Sequence, residues 1–243
     1  MSRTWLIAQR ELKAYVRSPL GYVLAAAVLL GEGMWFLGRA MGGADDQRLS
    51  AQVLAECMNG ITGGTILACL VMSMRLIAHE SEQGTLVLLK TSPISDRDVV
   101  LGKFLSVMVV LLVLTTLSGY MPALIFVNGK VSVGHIGVAY LGTLLLGASV
   151  TAIGLFGSAL AKNQVIGFIV SGSLTLVMIL MWLVAKISDP PIADFVDGLA
   201  LHHLRQRDFM QGVLRVDNVV FYVMVCFVFL LGAIKTMEAR RWR

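Results

Sequence analysis

Few side chains of this 243-residue chain could do chemistry in an apolar environment. Glu32 stands alone in the sequence LLGEGMWF, inside the first long apolar run. A carboxylate within a membrane is costly and often functional, because it can relay protons or contact a substrate. It can equally be satisfied by neighbouring helices, and no relay of further acids or histidines accompanies it. Both interpretations of Glu32, as an intramembrane polar site or as a packed structural group, stay open.

Other chemical motifs are weak or missing. The adjacent His202 and His203 would point to different faces of a helix and make a poor metal pair, and the three cysteines show no CxxC spacing. The sequence contains no HExxH, no GxSxG and no P-loop GxxxxGK[ST]. We therefore expect no metal site, no catalytic residues and no enzymatic activity, and the chain cannot hydrolyse ATP by itself.

The composition is typical of a membrane protein. Apolar residues make up 57% of the chain and charged residues only 14%, against roughly 45–50% and 25% in soluble domains. The mean hydropathy is +0.79. The net charge of +5 does not indicate nucleic-acid binding, because the basic residues lie at the edges of apolar runs and form no aromatic-interleaved patch.

Six apolar stretches are long enough to cross a membrane as helices, which takes about 20 residues each. They lie at roughly 19–40, 57–78, 99–127, 136–161, 164–186 and 218–235. Nearly twice as many of the 20 Lys and Arg residues fall on the side of the N-terminus as on the opposite side. This bias predicts that both termini are cytoplasmic. The predicted fold class is an all-α integral membrane protein with six transmembrane helices.

Two further segments are predicted outside these spans. Residues 1–18 form an interfacial amphipathic helix, because arginines recur every seven residues on one face and apolar residues lie on another. The remaining chain, 19–243, is the transmembrane domain. Its external segment, 187–217, starts with a Pro-Pro pair followed by an apolar helical face, which predicts one or two short helices.

Small residues and a proline mark two of the spans. Gly60 and Gly64 form a GxxxG motif in the second span, which permits close helix crossing. That crossing could lie at a dimer interface, along a pathway, or within one subunit. Pro122 lies late in the third span and is expected to kink it.

The charged segment 79–98 interrupts the apolar pattern. A charge at the centre of a span costs roughly 2.5–3.5 kcal/mol, so a segment with this many charges is expected to be cytoplasmic. Its apolar run TLVLL is too short to span and predicts a short helix, which ends at TSP because the residue before proline is pushed out of α geometry. SDRD then predicts a capping box at Ser95 and Asp98 that begins the third span. The helix could be an ordinary connector or a docking element for a soluble partner.

The sequence HESEQGTLVLLKTSPISDRDVVLGKF resembles the cytoplasmic segment of ABC exporter permeases of the type-2 family. The usual pattern there is Glu-Glu, a few polar residues, Gly-Thr-Leu-Glu-Leu-Leu, Thr-x-Pro and a later Gly-Lys. YLGTLLLGASVTAIGLFGSALAKNQVIGF, and QGVLRVDNVVFYV followed by EARRW, look like the same family in the same order. The resemblance covers nearly the whole chain and is strongest to the gliding-motility and nitrous-oxide-reductase-maturation permeases.

This resemblance implies that the short helix is a coupling helix, which docks on a cytoplasmic P-loop ATPase. The docking residues that it implies are Glu80, Glu82, Gln83, Gly84, Thr85, Leu89, Thr91 and Pro93. His79 and Val87 stand where the family usually has glutamates, which makes the docking face less polar. The chain itself would hold no cofactor, because ATP and Mg would be bound by the partner ATPase.

The resemblance also implies a function and a location. The chain would be the transmembrane permease subunit of an ABC exporter in the lipid of a bacterial inner membrane. It would pair with a second permease subunit, as a homodimer or a heterodimer. The alternatives are a secondary transporter or channel with no ATPase partner and a passive membrane anchor. The substrate is not identified by the sequence.

Overall fold

The structure is a computed structural model, and it describes residues 3–40, 50–84 and 95–241. Within these ranges the chain is helical and contains no strand. The helices are α1 (Arg3–Arg17), α2 (Pro19–Trp35), α3 (Ser50–Glu82), α4 (Asp96–Leu117), α5 (Tyr120–Asn128), α6 (Val133–Leu160), α7 (Gln164–Ile187), α8 (Ile192–Leu199), α9 (His203–Met210) and α10 (Val216–Arg241), with a π-helical turn (Phe36–Ala40) extending α2.

Six segments of the described chain are long and apolar enough to cross a membrane. They are Pro19–Arg39, Ser50–Glu82, Asp96–Val127, Val133–Leu160, Gln164–Ile187 and Val216–Arg240. The predicted all-α membrane fold with six spans is confirmed. The second and sixth spans are longer than predicted at both ends, because their helices continue through polar residues beyond the apolar run.

The fourth span, α6, lies at the centre of the bundle. Its apolar stretch is 61% buried, compared with 17%, 11% and 22% for the first, fifth and sixth spans. Glycines on α6 allow this close packing: Gly147 faces Leu111 and Thr65, and Gly154 faces Ser73. The first, fifth and sixth spans therefore direct many apolar side chains outward, toward lipid or toward a partner subunit.

The third span is divided into α4 and α5 near its end. Pro122 has no N–H to donate to the Ser118 carbonyl four residues earlier, and the N–H of Met121 donates to that carbonyl over 3.2 Å instead. The helix breaks between Leu117 and Tyr120. The kink expected from Pro122 is thus present as a break, and Ser118 lies within it.

The segment between the fifth and sixth spans forms the two short helices α8 and α9, as predicted. α9 packs into the bundle: Gln206 is fully buried and donates from Nε2 to Thr62 Oγ1 over 3.3 Å. Phe209 lies against Gly142 of the fourth span. The Tyr222 hydroxyl donates to the Leu201 carbonyl over 2.7 Å. These contacts fix the segment between the second, fourth and sixth spans.

α1 packs along α4 through one face only. Ile7 and Ala8 are buried, whereas Trp5 and Val16 are 40% and 64% exposed. Gly102 of α4 makes this approach possible, since a Cβ there would lie 2.8 Å from Ile7 Cβ. The helix therefore keeps an apolar face available for lipid while it is fastened to the third span.

Candidate functional site

The structure describes the two ends of the charged segment. α3 continues to Glu82 and ends in a turn, in which the N–H of Gln83 donates to the His79 carbonyl over 3.0 Å. Gly84 has φ +71, the left-handed conformation that glycine adopts without strain. The chain is described again from Ser95. Thr85, Leu89, Thr91 and Pro93, and with them the predicted coupling helix, lie outside the described residues.

A cluster of four charged side chains, three of them largely buried, holds the first of these ends in place. Lys103 Nζ of α4 lies 3.0 Å from Glu80 Oε1 of α3 and 3.0 Å from Glu11 Oε1 of α1. Arg10 Nη2 lies 2.8 Å from each of the same two oxygens. The Lys103 side chain is only 1% exposed, and the two carboxylates are about 15% exposed. The cluster joins three helices at the base of the charged segment.

Among the described residues, the cluster contains two cations and two carboxylates, which compensate one another. Burial by itself would raise the pKa of Glu11, but the charge of Lys103 and the hydrogen bonds from Arg10 and Lys103 hold that pKa below its ordinary value. Removing one member would leave an uncompensated charge in a poorly solvated place, which is strongly destabilising. The cluster is therefore expected to weaken when any one of its charged side chains is lost.

The second end of the charged segment is held by a helix cap and by α1. Ser95 Oγ accepts a hydrogen bond from the Asp98 N–H over 3.2 Å, which is the cap predicted from SDRD. Thr4 Oγ1 of α1 donates to Asp98 Oδ1 over 2.7 Å. α1 thus contacts the chain on both sides of residues 85–94.

The turn between the fourth and fifth spans is attached to the same place. Gln164 Nε2 lies 2.9 Å from Glu82 Oε2 and 2.9 Å from His79 Nδ1. Ser158 Oγ donates to the Met74 carbonyl over 2.9 Å and accepts from the Ala78 N–H over 2.9 Å. His79, which departs from the family pattern, therefore contacts another helix of its own chain.

Several of these residues were missed by sequence reasoning. Glu11, Lys103 and Gln164 were not singled out, and Arg10 was assigned only to the polar face of the amphipathic helix. Lys103 pairs with Glu11, 92 positions away, and with Glu80, 23 positions away, so no local sequence pattern connects them. The one available signal was the Gly-Lys pair at 102–103, which belongs to the family pattern.

Glu32 lies at a second site, within the membrane-spanning part. Its side chain is 5% exposed, and Ser118 Oγ donates a hydrogen bond to Glu32 Oε2. The carboxylate faces Gly64, and Trp35 of the same helix faces Gly60. A cavity of about 570 Å³ between the first two spans is lined by Glu32 and these neighbours. The break in the third span thus supplies the hydroxyl that satisfies one carboxylate oxygen.

Gly60 and Gly64 therefore pack against the first span of their own chain. Because the two glycines have no side chains, there is room beside them for the Trp35 indole and the Glu32 carboxylate. The motif thus allows two helices of the same chain to cross closely. A role for the motif at a dimer interface stays a prediction.

The described histidines do not form a metal site. The ring of His203 stacks on Trp182 with centroids 4.3 Å apart. Burial lowers the pKa of His202, and the neighbouring His203 lowers it further. Among residues 3–40, 50–84 and 95–241, no three His, Cys, Asp or Glu side chains come together as metal ligands.

Comparison with known families identifies a match that extends over most of the chain. Residues 5–207 match the family described as ABC-2 family transporter protein. The matched residues include most of α1, the charge cluster and both ends of the charged segment. No curated protein matches the chain.

Proposed function

The chain belongs to the ABC-2 family of transporter proteins, and we propose that it couples ATP hydrolysis by a separate cytoplasmic ATPase to the export of a substrate. Membership makes it the permease component of an ABC transporter and a multi-pass membrane protein. The ATPase partner, the direction of transport and the residues that carry the coupling are the proposed part.

One observation carries the proposal: both ends of the charged segment are fastened to rigid helices. Glu80 is held by the buried Lys103, and Asp98 is held by Thr4. A force applied to residues 85–94 would therefore reach α1 and the second and third spans together. The polar contacts of Gln164 with His79 and Glu82 extend the connection to the fifth span.

The proposed docking surface consists of Glu80, Glu82, Gln83, Gly84, Thr85, Leu89, Thr91 and Pro93. ATP and Mg would be bound by the partner ATPase. Glu80 has a double role, because it belongs both to this set and to the charge cluster. A docked ATPase would thus contact the segment directly beside the point where the three helices are joined.

Variants of the segment test the coupling. Gly84→Pro cannot keep the described turn, because proline fixes φ near −65° and Gly84 has φ +71. Leu89→Glu places a charge on the predicted docking face. Both are expected to abolish co-purification of a P-loop ATPase and the ATPase activity of the purified complex. Leu204→Glu, at a half-exposed position of α9, is the matched control and should retain both.

Unchanged ATPase association and activity in both variants would contradict the coupling role. A wild-type chain that purifies from its native membrane without any P-loop ATPase would favour a secondary transporter or channel instead.

The proposed location is a bacterial inner membrane with both termini cytoplasmic. Gln83 and Asp189 are exposed and lie at opposite ends of the bundle. With the native cysteines replaced, Gln83→Cys is expected to react with an impermeant maleimide only after cell lysis, and Asp189→Cys in intact cells. The reverse pattern would overturn the orientation.

A second permease subunit completes the proposed transporter. The first and fifth spans are 17% and 11% buried within one chain, so their apolar faces are available for another copy or for a paralogue. The mass of the purified complex, measured with its lipid and detergent accounted for, distinguishes a homodimer from a heterodimer.

A further inference from the structure

Two cavities meet at Arg75 and Tyr15, on the side of the bundle where α1 joins the second span. The first has a volume of about 480 Å³ and is lined almost entirely by apolar side chains of α1, α2, α3 and α4. The second has a volume of about 250 Å³ and is lined by the polar groups of Glu11, Ser18 and His79 together with apolar atoms of their neighbours. Together they form an apolar groove that continues into a pocket of mixed polarity, with a guanidinium at the junction.

Arg75 makes no hydrogen bond and no ion pair with any residue that the structure describes, although it is only partly exposed. The carboxylate of Glu11 lines the same pocket, but its Oε1 is occupied by Lys103 and Arg10. A guanidinium presents five N–H donors in a planar fork that matches phosphate oxygens. The junction therefore offers a cation that is not neutralised within the described chain.

The groove opens toward lipid. Val16, Tyr22 and Val113 line it, and they are 64%, 64% and 50% exposed within the chain. Arg75 precedes the end of α3 at Glu82 by two turns, or about 10 Å of helix. The Tyr15 hydroxyl donates to the Met72 carbonyl over 3.3 Å, which holds α1 at this level. The groove thus spans the boundary between the apolar helix surfaces and the charged end of the bundle.

We propose that a phospholipid occupies these two cavities, with an acyl chain in the apolar groove and its phosphate on Arg75. The groove volume falls in the range of ligand pockets, about 300–1,000 Å³. The preferred lipid is anionic, because the Arg75 guanidinium attracts a phosphate and repels the choline cation of a zwitterionic headgroup. The assignment of this lipid to the cytoplasmic leaflet rests on the proposed function and its topology; the binding itself does not.

The bound lipid would contact the elements that hold the charged segment. The groove and pocket are bordered by α1, by the cytoplasmic third of α3 and by the residues next to the charge cluster. An occupied groove would fill the gap between α1 and the first three spans, and so resist their separation. The proposed lipid site therefore lies among the helices that hold the charged segment in place.

The binding test uses the purified full chain, stripped of lipid by detergent exchange and titrated with lipid under native mass spectrometry. The probes are phosphatidylglycerol, phosphatidylcholine with the same acyl chains, and the soluble headgroup glycerophosphoglycerol. Phosphatidylglycerol is expected to bind about tenfold more tightly than phosphatidylcholine, equivalent to about 1.4 kcal/mol. The soluble headgroup is expected not to bind at the same concentrations. Equal affinity for the two lipids, or binding of the headgroup as tight as that of the lipid, would overturn the proposal.

Variants locate the site. Arg75→Gln is expected to weaken phosphatidylglycerol binding about tenfold and to remove the preference over phosphatidylcholine. Arg17→Gln removes the same charge from a nearby exposed position that does not line either cavity, and should change the affinity less than about twofold. Val113→Trp fills the groove from an exposed position and should weaken both lipids alike. Wild-type binding by both Arg75→Gln and Val113→Trp would refute the site, whatever the outcome of the ATPase experiments.

Discussion

Replacing Lys103 by Met tests the charge cluster most directly. The variant keeps the length and packing of the side chain and removes the cation that lies 3.0 Å from both Glu11 and Glu80. Removing one member of a buried ion pair typically costs about 3–5 kcal/mol. Arg10 still contacts both carboxylates but is 55% exposed, so it compensates them only partly. We expect a loss of about 2–3 kcal/mol, at or below the low end of that range.

The assay is thermal unfolding of the purified chain in detergent, followed by scanning fluorimetry. For a chain of this size each kcal/mol shifts Tm by about 2–4 °C, so a loss of about 2–3 kcal/mol lowers Tm by about 4–12 °C. Lys235→Met removes a surface cation that is 69% exposed and paired with Glu238, and should shift Tm by less than about 2 °C. Lys103→Met combined with Glu80→Gln should recover much of the loss, because Arg10 and Glu11 then compensate each other. A Lys103→Met variant as stable as wild type would refute the cluster as a fastening.

Three further predictions concern other parts of the molecule. Gly64→Val should lower the free energy of unfolding by about 1–3 kcal/mol, because the added carbons meet the Glu32 carboxylate. Gly63→Val is the control, because a Cβ there meets no atom within 4 Å, and it should leave the stability of the monomer unchanged. A larger loss for Gly63→Val than for Gly64→Val in thermal unfolding would place an interface at Gly63. Glu32→Gln keeps an acceptor for Ser118 and should shift Tm by less than about 2 °C. A larger decrease would show that the fold requires a carboxyl group at this position. Burial lowers the pKa of His202 below its ordinary 6.5. As the pH decreases, the unfolded chain therefore takes up the proton before the folded chain does, and Tm should fall below pH 6.5. An equally steep dependence of Tm on pH in His202→Asn would contradict this origin.

The number and positions of the spans could be predicted because each depends on a contiguous run of apolar residues. The same reasoning misplaced helix ends. The second span was predicted from residue 57, whereas its helix begins at Ser50. A hydropathy pattern records the thickness of the bilayer, and a helix can continue through polar residues on either side of it. The break near Pro122 was predictable because its cause lies in one residue.

The charge cluster could not be predicted in the same way. Apart from the Gly-Lys pair of the family pattern, nothing in the sequence distinguished Lys103 from other basic residues near the ends of spans, and its burial depends on the close approach of α1 at Gly102. The partners Glu11 and Glu80 come from two other helices, so their pairing depends on tertiary packing that no local pattern encodes. Of the predicted docking residues, Glu80, Glu82, Gln83 and Gly84 are placed beside this cluster; the role of the whole set stays a prediction.

The length of α3 has a mechanical consequence. Its 33 residues form a rod of about 50 Å. One end carries Glu80 in the charge cluster, and the other carries Ser50, whose hydroxyl accepts from the Lys130 N–H over 3.1 Å. If the rod pivots about its middle by about 10°, each tip travels about 4 Å in opposite directions. A pivot of α3 would therefore couple a movement at one end of the bundle to an opposite movement at the other end.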